Sequence, residues 1–181
     1  MVTNVNSLMT FSELYQAYKN TVYNLALQYV GNREDAEEIT QDVFVKVHEN
    51  LNRFRKDSDW RTWIYRISIN HSLDFLKAKK RQKRSILSQI LRLDNPDTRF
   101  EIPHFNHPGV ELEQKETIAF ILNCLNHLPD NQRTVIILLK IENLPQPEVA
   151  KIMKTSSKAV ESLFHRAKKN LEKLLNGSEG K

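Results

Sequence analysis

From Phe11 to Val30 apolar side chains return every three or four residues, at Phe11, Leu14, Tyr15, Tyr18, Val22, Leu25, Ala26 and Tyr29. That period draws one buried face along a helix. Gly31-Asn32 interrupts it, and a second helix is predicted from about Asp35, where Glu34, Asp35, Glu37 and Glu38 complement the positive end of a helix dipole. Its inward stripe is Ala36, Ile39, Val43, Val47 and Leu51, which turns Glu38, Gln41, Asp42 and Val45 outward. After the polar interval Arg53 to Ser58, a third helix is predicted with Ser58 or Asp59 as N-cap, running through Leu76 into a basic run. Ile64, Ile67, Leu73 and Leu76 pack inward on this reading, with at least one tryptophan joining them.

Between Ser85 and Pro108 the periodicity weakens, and Asn95-Pro96-Asp97, Pro103 and Pro108 punctuate the chain. Helical pattern resumes with Val110, Leu112, Ile118, Ile121, Leu122 and Leu125 and stops at His127-Leu128-Pro129, where Pro129 fits the first turn of a following helix. That helix carries Val135, Ile136, Leu138, Leu139 and Ile141 and ends at Asn143. The segments Leu144 to Met153 and Ser157 to Leu175, joined by Lys154-Thr155-Ser156, have the spacing of a helix-turn-helix. Ala150 is small where crossed helices approach, Ile152 or Met153 meets Val160 across the turn, and Ser156 is a good N-cap. Leu163, Phe164, Ala167, Leu171 and Leu174 form the inner side of the last helix. The expected fold is all-α: a helical domain over 1–84, a linker over 85–109, a second helical domain over 110–176 and a tail over 177–181.

Composition agrees with helices. There are four glycines, of which Gly177 and Gly180 lie in the tail, against 40% apolar residues, enough for real cores but poor in turn formers for β architecture. Cys124 alone forms no disulfide framework, which points to a reducing compartment and a small buried hydrophobe. The longest apolar run, Val135 to Leu139, is far short of a membrane span, and the N-terminus lacks the regions of a signal peptide; no membrane insertion and a cytoplasmic location are expected. His104 and His107 beside two prolines lack the further ligands that zinc requires, and no glycine-rich phosphate loop or nucleophile-base pair points to an enzyme. His71 and Asp74 read as an ordinary surface pair, and no cofactor is implied.

Charge changes the picture more. The net charge is +5, but Lys77, Lys79, Lys80, Arg81, Lys83 and Arg84 stand together with no acidic residue among them. They follow Trp60, Trp63, Tyr65 and Phe75. Aromatic faces on which bases stack, beside cations that neutralise phosphate, suit unpaired nucleic acid; aromatics at helical spacing also suit a core. A second basic excess falls on the helix-turn-helix. If its last helix enters a major groove, Ser157, Lys158, Glu161, Ser162 and His165 face base edges with Thr155 nearby, while Arg166, Lys168 and Lys169 grip phosphate. Two separated basic patches imply a polyanion touched at two places.

The motifs Asp35-Ala36-Glu37-Glu38 with Gln41-Asp42-Val43-Phe44, Thr62-Trp63-Ile64-Tyr65-Arg66-Ile67 with Asn70 and Asp74, Leu128-Pro129 with Arg133, and Glu148-Val149-Ala150 with Ala159-Val160-Glu161-Ser162 and Arg166-Ala167 follow one another in order. In this order and spacing the chain resembles bacterial sigma factors of the two-domain, extracytoplasmic-function group of the sigma-70 family, over about residues 11 to 175. The resemblance implies a promoter-specificity subunit without chemistry of its own, with core RNA polymerase, promoter DNA and an anti-sigma factor as partners. Asp35, Glu38, Gln41 and Asp42 would bind polymerase. Phe54 to Asp59, Trp60, Trp63, Tyr65, Arg66 and Asn70 would open the −10 element and hold a flipped base, with Lys77, Lys80 and Arg81 on flanking DNA. The helix-turn-helix would read the −35 element. Lys154 stands where family members commonly have glycine, Pro145 and Pro147 replace polar residues, and Glu161 and Leu163 stand where many have basic ones. The rival reading is a stand-alone regulator that binds duplex DNA without polymerase; the strip from Trp60 to Arg84 is harder to explain on that view.

Overall fold

The computed structural model describes residues 9–54, 59–91 and 120–176, and among them every regular element is helical. The first helix, α1 (Phe11–Val30), is fastened at its start by Thr10, whose hydroxyl accepts from the Glu13 amide at 3.3 Å while the Glu13 carboxylate accepts from the Thr10 amide at 2.8 Å. Gly31 ends it at φ 74°, a left-handed conformation that costs glycine nothing. Asn32 then caps α2 (Arg33–Asn50) by accepting from the Asp35 amide at 2.9 Å. This cap starts α2 ahead of the expected Asp35 and sets it back along α1. A short 3-10 turn (Leu51–Arg53) leads to Phe54.

The third helix, α3 (Trp60–Leu91), carries the aromatics and the whole basic run. It continues through Ser85–Leu91, residues expected in the linker, because no helix breaker precedes Asn95-Pro96. α1, α2 and α3 pack as a three-helix bundle around Leu14, Val22, Leu25, Ile39, Val43, Val47 and Ile64. The rest of the expected linker, with His104 and His107, lies outside the described residues, as do the four residues before Asp59.

In the C-terminal part, residues 120–126 form α4, and Pro129 stands at the N-cap of α5 (Asp130–Ile136). α5 runs into a wider π turn, Ile137–Ile141, closed by the Glu142 amide on the Ile137 carbonyl at 2.9 Å, and Asn143 leaves it at φ 50°. α6 (Gln146–Ile152) and α7 (Ser157–Asn176) make the helix-turn-helix. Lys154 takes φ 53° in the turn, the left-handed conformation that glycine adopts freely. Ser156 caps α7 by accepting from the Ala159 amide at 3.1 Å, and Ala150, Ile152 and Val160 are buried where α6 crosses α7. Cys124 is buried in the apolar interior, which raises its thiol pKa.

The two helical parts share a continuous apolar cluster from Leu14 to Ala167. Tyr29, fully buried near the end of α1, meets the Thr134 hydroxyl at 2.8 Å, and the buried Arg133 donates to the Tyr29 carbonyl with its guanidinium 4.8 Å from that ring. Glu142 accepts from the Gln28 amide at 2.7 Å and from the Tyr65 hydroxyl at 2.6 Å. Arg66 donates to the carbonyls of Lys151 and Ile152, which end α6 and carry its negative dipole end. Arg61 pairs with Glu148 at 3.2 Å and Lys77 with Asp130 at 3.2 Å. These contacts form a seam holding the two parts face to face.

Candidate polymerase and nucleic-acid interfaces

α3 has two polar faces, and the helical turn separates them. One face looks across to α2 and lines a solvent-open cavity of about 300 Å³ with Trp63, Ile67, Asn70, His71 and Asp74, opposite Lys46 and Asn50. Trp60 is not part of it. Trp60 is buried and stacks on Phe54, centroids 3.5 Å apart and planes 15° apart, so it belongs to the core and supports its neighbour. Trp63 leans edge-on against both, at 5.7 Å from Trp60 and 5.2 Å from Phe54, and stays partly exposed as the cavity wall. The Asn50 amide nitrogen donates to the Lys46 carbonyl at 2.8 Å, which leaves its oxygen as an acceptor. Asn70 and Asp74 are exposed and make no hydrogen bond or ion pair with another described residue.

The other face of α3 holds Arg61, Tyr65 and Arg66, all engaged in the seam. Burial, and then the hydrogen bond and charge of Glu142, push the Tyr65 pKa above the ordinary phenol range. Burial pulls Arg133 down to about 10, against smaller opposing effects of Tyr29 and Asp130. The structure therefore splits the residues expected at the −10 element: Trp63 and Asn70 line the cavity, Tyr65 and Arg66 face the C-terminal part, and Trp60 lies in the core.

The outward face of α2 presents Glu38, Gln41, Asp42 and Val45, with Val45 55% exposed although apolar. Asp35 differs from them. It is half-buried, accepts from Asn32 at 2.7 Å and pairs with Lys79, so it fastens α2 to α3. Lys80, Arg81, Lys83 and Arg84 stay exposed further along, with no ion pair to another described residue.

On the helix-turn-helix, Thr155, Ser157, Lys158, Glu161, Ser162, His165, Arg166, Lys168 and Lys169 are all exposed. Ala167 and Val160 are buried on the opposite side, with Leu163, Phe164, Leu171 and Leu174 packed against the core. Lys168 pairs with Glu172 at 3.8 Å along the helix. Among the described residues no group of three or more His, Cys, Asp or Glu is placed to hold a metal ion, and no helix is long and apolar enough to cross a membrane.

Residues 14–82, which hold the cavity, the acidic face and most of the basic run, match Sigma-70 region 2, and residues 121–171 match Sigma-70, region 4. The RNA polymerase sigma factor NccH of Alcaligenes xylosoxydans xylosoxydans is 30% identical over 169 residues, spanning 93% of this chain and 88% of that protein. The chain belongs to the sigma-70 family, in its extracytoplasmic-function group. The ECF RNA polymerase sigma-E factor of Haemophilus influenzae is 29% identical over 164 residues (90% of this chain, 85% of the relative). The ECF sigma factor SigW of Bacillus subtilis is 29% identical over 176 residues (91% and 88%). The sigma-factor fold is shared with CnrH, solved in complex with the cytosolic domain of CnrY, at TM-score 0.64 and 24% identity over 92% of this chain and 88% of that one. It is shared equally with RpoE of Bartonella quintana, solved with the anti-sigma factor NepR, at TM-score 0.64 and 19% identity over 92% and 96%.

Sequence reasoning missed most of the seam of this sigma factor. Gln28, Arg61, Thr134, Glu142 and Glu148 carried no signal, because their partners lie between 77 and 114 residues away. It also read His71 as an ordinary surface residue. His71 stands between Asp42, at 3.0 Å from Nε2, and Lys46, at 2.6 Å from Nδ1. The spacing of Asp42 and Lys46 on α2 was the available clue.

Proposed function

We propose that this sigma factor binds core RNA polymerase through the outward face of α2, reads −10 and −35 promoter elements through its first and second domains, and helps melt DNA by holding one extruded base in the α2–α3 cavity. On this reading the first domain spans about residues 1–91, because α3 continues through Leu91, the second spans 110–176, and the connection between them crosses the polymerase. The observation that carries the reading is the cavity. It combines a partly exposed tryptophan wall, polar groups at Asn70 and Asp74 that have no partner among the described residues, and a cation at Lys46. An extruded base needs a face to stack on and edge partners to offset its unstacking, and its phosphate needs a nearby cation. Trp63 offers the face, Asn50, Asn70 and Asp74 the edge, and Lys46 the charge.

The exposed rows on α7 supply the −35 contact, with Ser157, Lys158, Glu161 and Ser162 toward bases and Arg166, Lys168 and Lys169 toward phosphate. Arg61, Tyr65 and Arg66 cannot serve the seam and DNA together, so the closed pair parts when promoter is bound. CnrH and RpoE were solved in complexes, RpoE with an anti-sigma factor. An anti-sigma partner that holds the closed form is the corresponding proposal here.

The test reconstitutes the purified protein with core polymerase, selects promoters from a randomised library, and maps unpaired thymines with permanganate. Trp63→Ala is expected to lower open-complex formation about fivefold or more, from the ~1–3 kcal/mol of a base–aromatic stack, with polymerase binding retained. Gln41→Ala with Asp42→Lys is expected to remove polymerase binding. Tight duplex binding by a wild-type protein that ignores polymerase would replace this reading with a stand-alone regulator.

A further inference from the structure

Asp42 and Lys46 stand one helical turn apart on α2, in the order and spacing at which a carboxylate and an ammonium pair directly. They do not pair here. The His71 ring reaches across from α3 and separates them, with Nε2 at 3.0 Å from Asp42 Oδ2 and Nδ1 at 2.6 Å from Lys46 Nζ. An ammonium group only donates, so Nδ1 accepts from Lys46 and Nε2 carries the proton donated to Asp42. The His71 side chain is 13% exposed and that of Asp42 51%, so the ring is held in the α2–α3 groove while the carboxylate remains at the surface. The same ring and the Lys46 side chain line the cavity.

We infer that His71 is a positioning residue: it keeps Lys46 on the cavity side and leaves the Asp42 carboxylate outward and unneutralised for polymerase. The inference rests on the assignment of the α2 face to polymerase binding. Without the ring, Lys46 swings to Asp42, masks its charge and leaves the cavity without its cation. The ring thus links the surface that docks polymerase to the wall that receives DNA, and either face constrains the other through one side chain.

The test is equilibrium binding of the labelled full chain to core RNA polymerase without DNA. His71→Ala is expected to weaken binding about two- to fivefold, the scale of one exposed ion pair. His71→Gln, whose amide can donate to Asp42 and accept from Lys46, is expected to stay within about twofold of wild type on the same scale. The deciding variant is His71→Ala with Lys46→Ala, which removes the competing cation and is expected to restore binding. A merely structural role for His71 would leave that double variant as weak as His71→Ala. Should His71→Ala lose helicity, His71→Leu keeps the bulk without the hydrogen bonds and carries the same comparison.

Wild-type affinity in His71→Ala, a weak His71→Gln, or a double variant that stays weak would each overturn the inference. A folded wild-type protein that does not bind polymerase would instead overturn the reading on which it rests. The imidazole nitrogen shifts of His71 separate the two failures, because they need no polymerase. A ring protonated on Nε2 alone is expected, and one protonated on Nδ1 would overturn the bridge itself.

Discussion

The two faces of α3 are made from similar residues and do opposite things. Toward the C-terminal part, Arg61, Tyr65 and Arg66 find protein partners in Glu148, Glu142 and the carbonyls that end α6. Toward α2, Trp63, Asn70 and Asp74 border open space. An aromatic and polar face whose groups are already satisfied holds the two parts together, while one whose groups are left to water stays available to a ligand. Composition alone would rank Tyr65-Arg66 and Trp63-Asn70 as equal DNA-binding candidates. The partners separate them, and of these two faces the cavity face is the one left open in the closed protein.

The strongest way to break this contrast is Arg133→Ala. The buried guanidinium is the donor to the Tyr29 carbonyl across the seam, and its loss leaves a buried acceptor unpaired at a cost of about 1–3 kcal/mol. The melting temperature falls, and small-angle scattering of the free protein shows a larger radius, while the α2–α3 cavity is retained. Glu142→Ala comes next. It removes the acceptor shared by Gln28 and Tyr65, each bond contributing roughly 1 kcal/mol, and is expected to open the seam and raise polymerase-independent binding of duplex by α7. A seam that stays closed in both variants would show that apolar contact alone holds it.

Lys154→Gly tests a site on neither face. Relieving the left-handed backbone at φ 53° is expected to stabilise the C-terminal part by about 1 kcal/mol, read as a higher melting temperature with the seam and cavity unaltered. The smallest effect is on pH. The Tyr65 pKa is raised in the folded protein, so its contribution is fully present below the unfolded value of 10.0 and is lost as pH rises above it. The stability difference between wild type and Tyr65→Phe is therefore expected to shrink between pH 10 and 11, when measured by denaturant unfolding. A difference constant across that interval would mean that the hydroxyl is not held in the seam.

Much of this was legible along the chain. The stripe Ala36, Ile39, Val43 and Val47 is buried, and Glu38, Gln41 and Asp42 face outward, because a helical period assigns sides without reference to any partner. Ser156 caps α7 and Lys154 takes the left-handed turn, since both depend on neighbours within a few residues. Trp60 against Trp63 was not decidable in this way. They are neighbours three residues apart on one side of α3, with ring centroids 5.7 Å apart, and which one is buried depends on where Phe54 stacks, which the periodicity of α3 does not contain.

By itself the sequence determined the helices, their caps and breaks, the two-part architecture, the acidic and basic faces and the family, because all of these are written in local spacing and in motifs along one dimension. Only the tertiary structure decided that Asp35 fastens α3 through Lys79, that His71 stands between Asp42 and Lys46, and that Tyr65 and Arg66 close onto the helix-turn-helix. A side chain's period names the face it occupies, but its role is set by the donor or acceptor that folding brings to that face. For Tyr65, that partner is Glu142, 77 residues away.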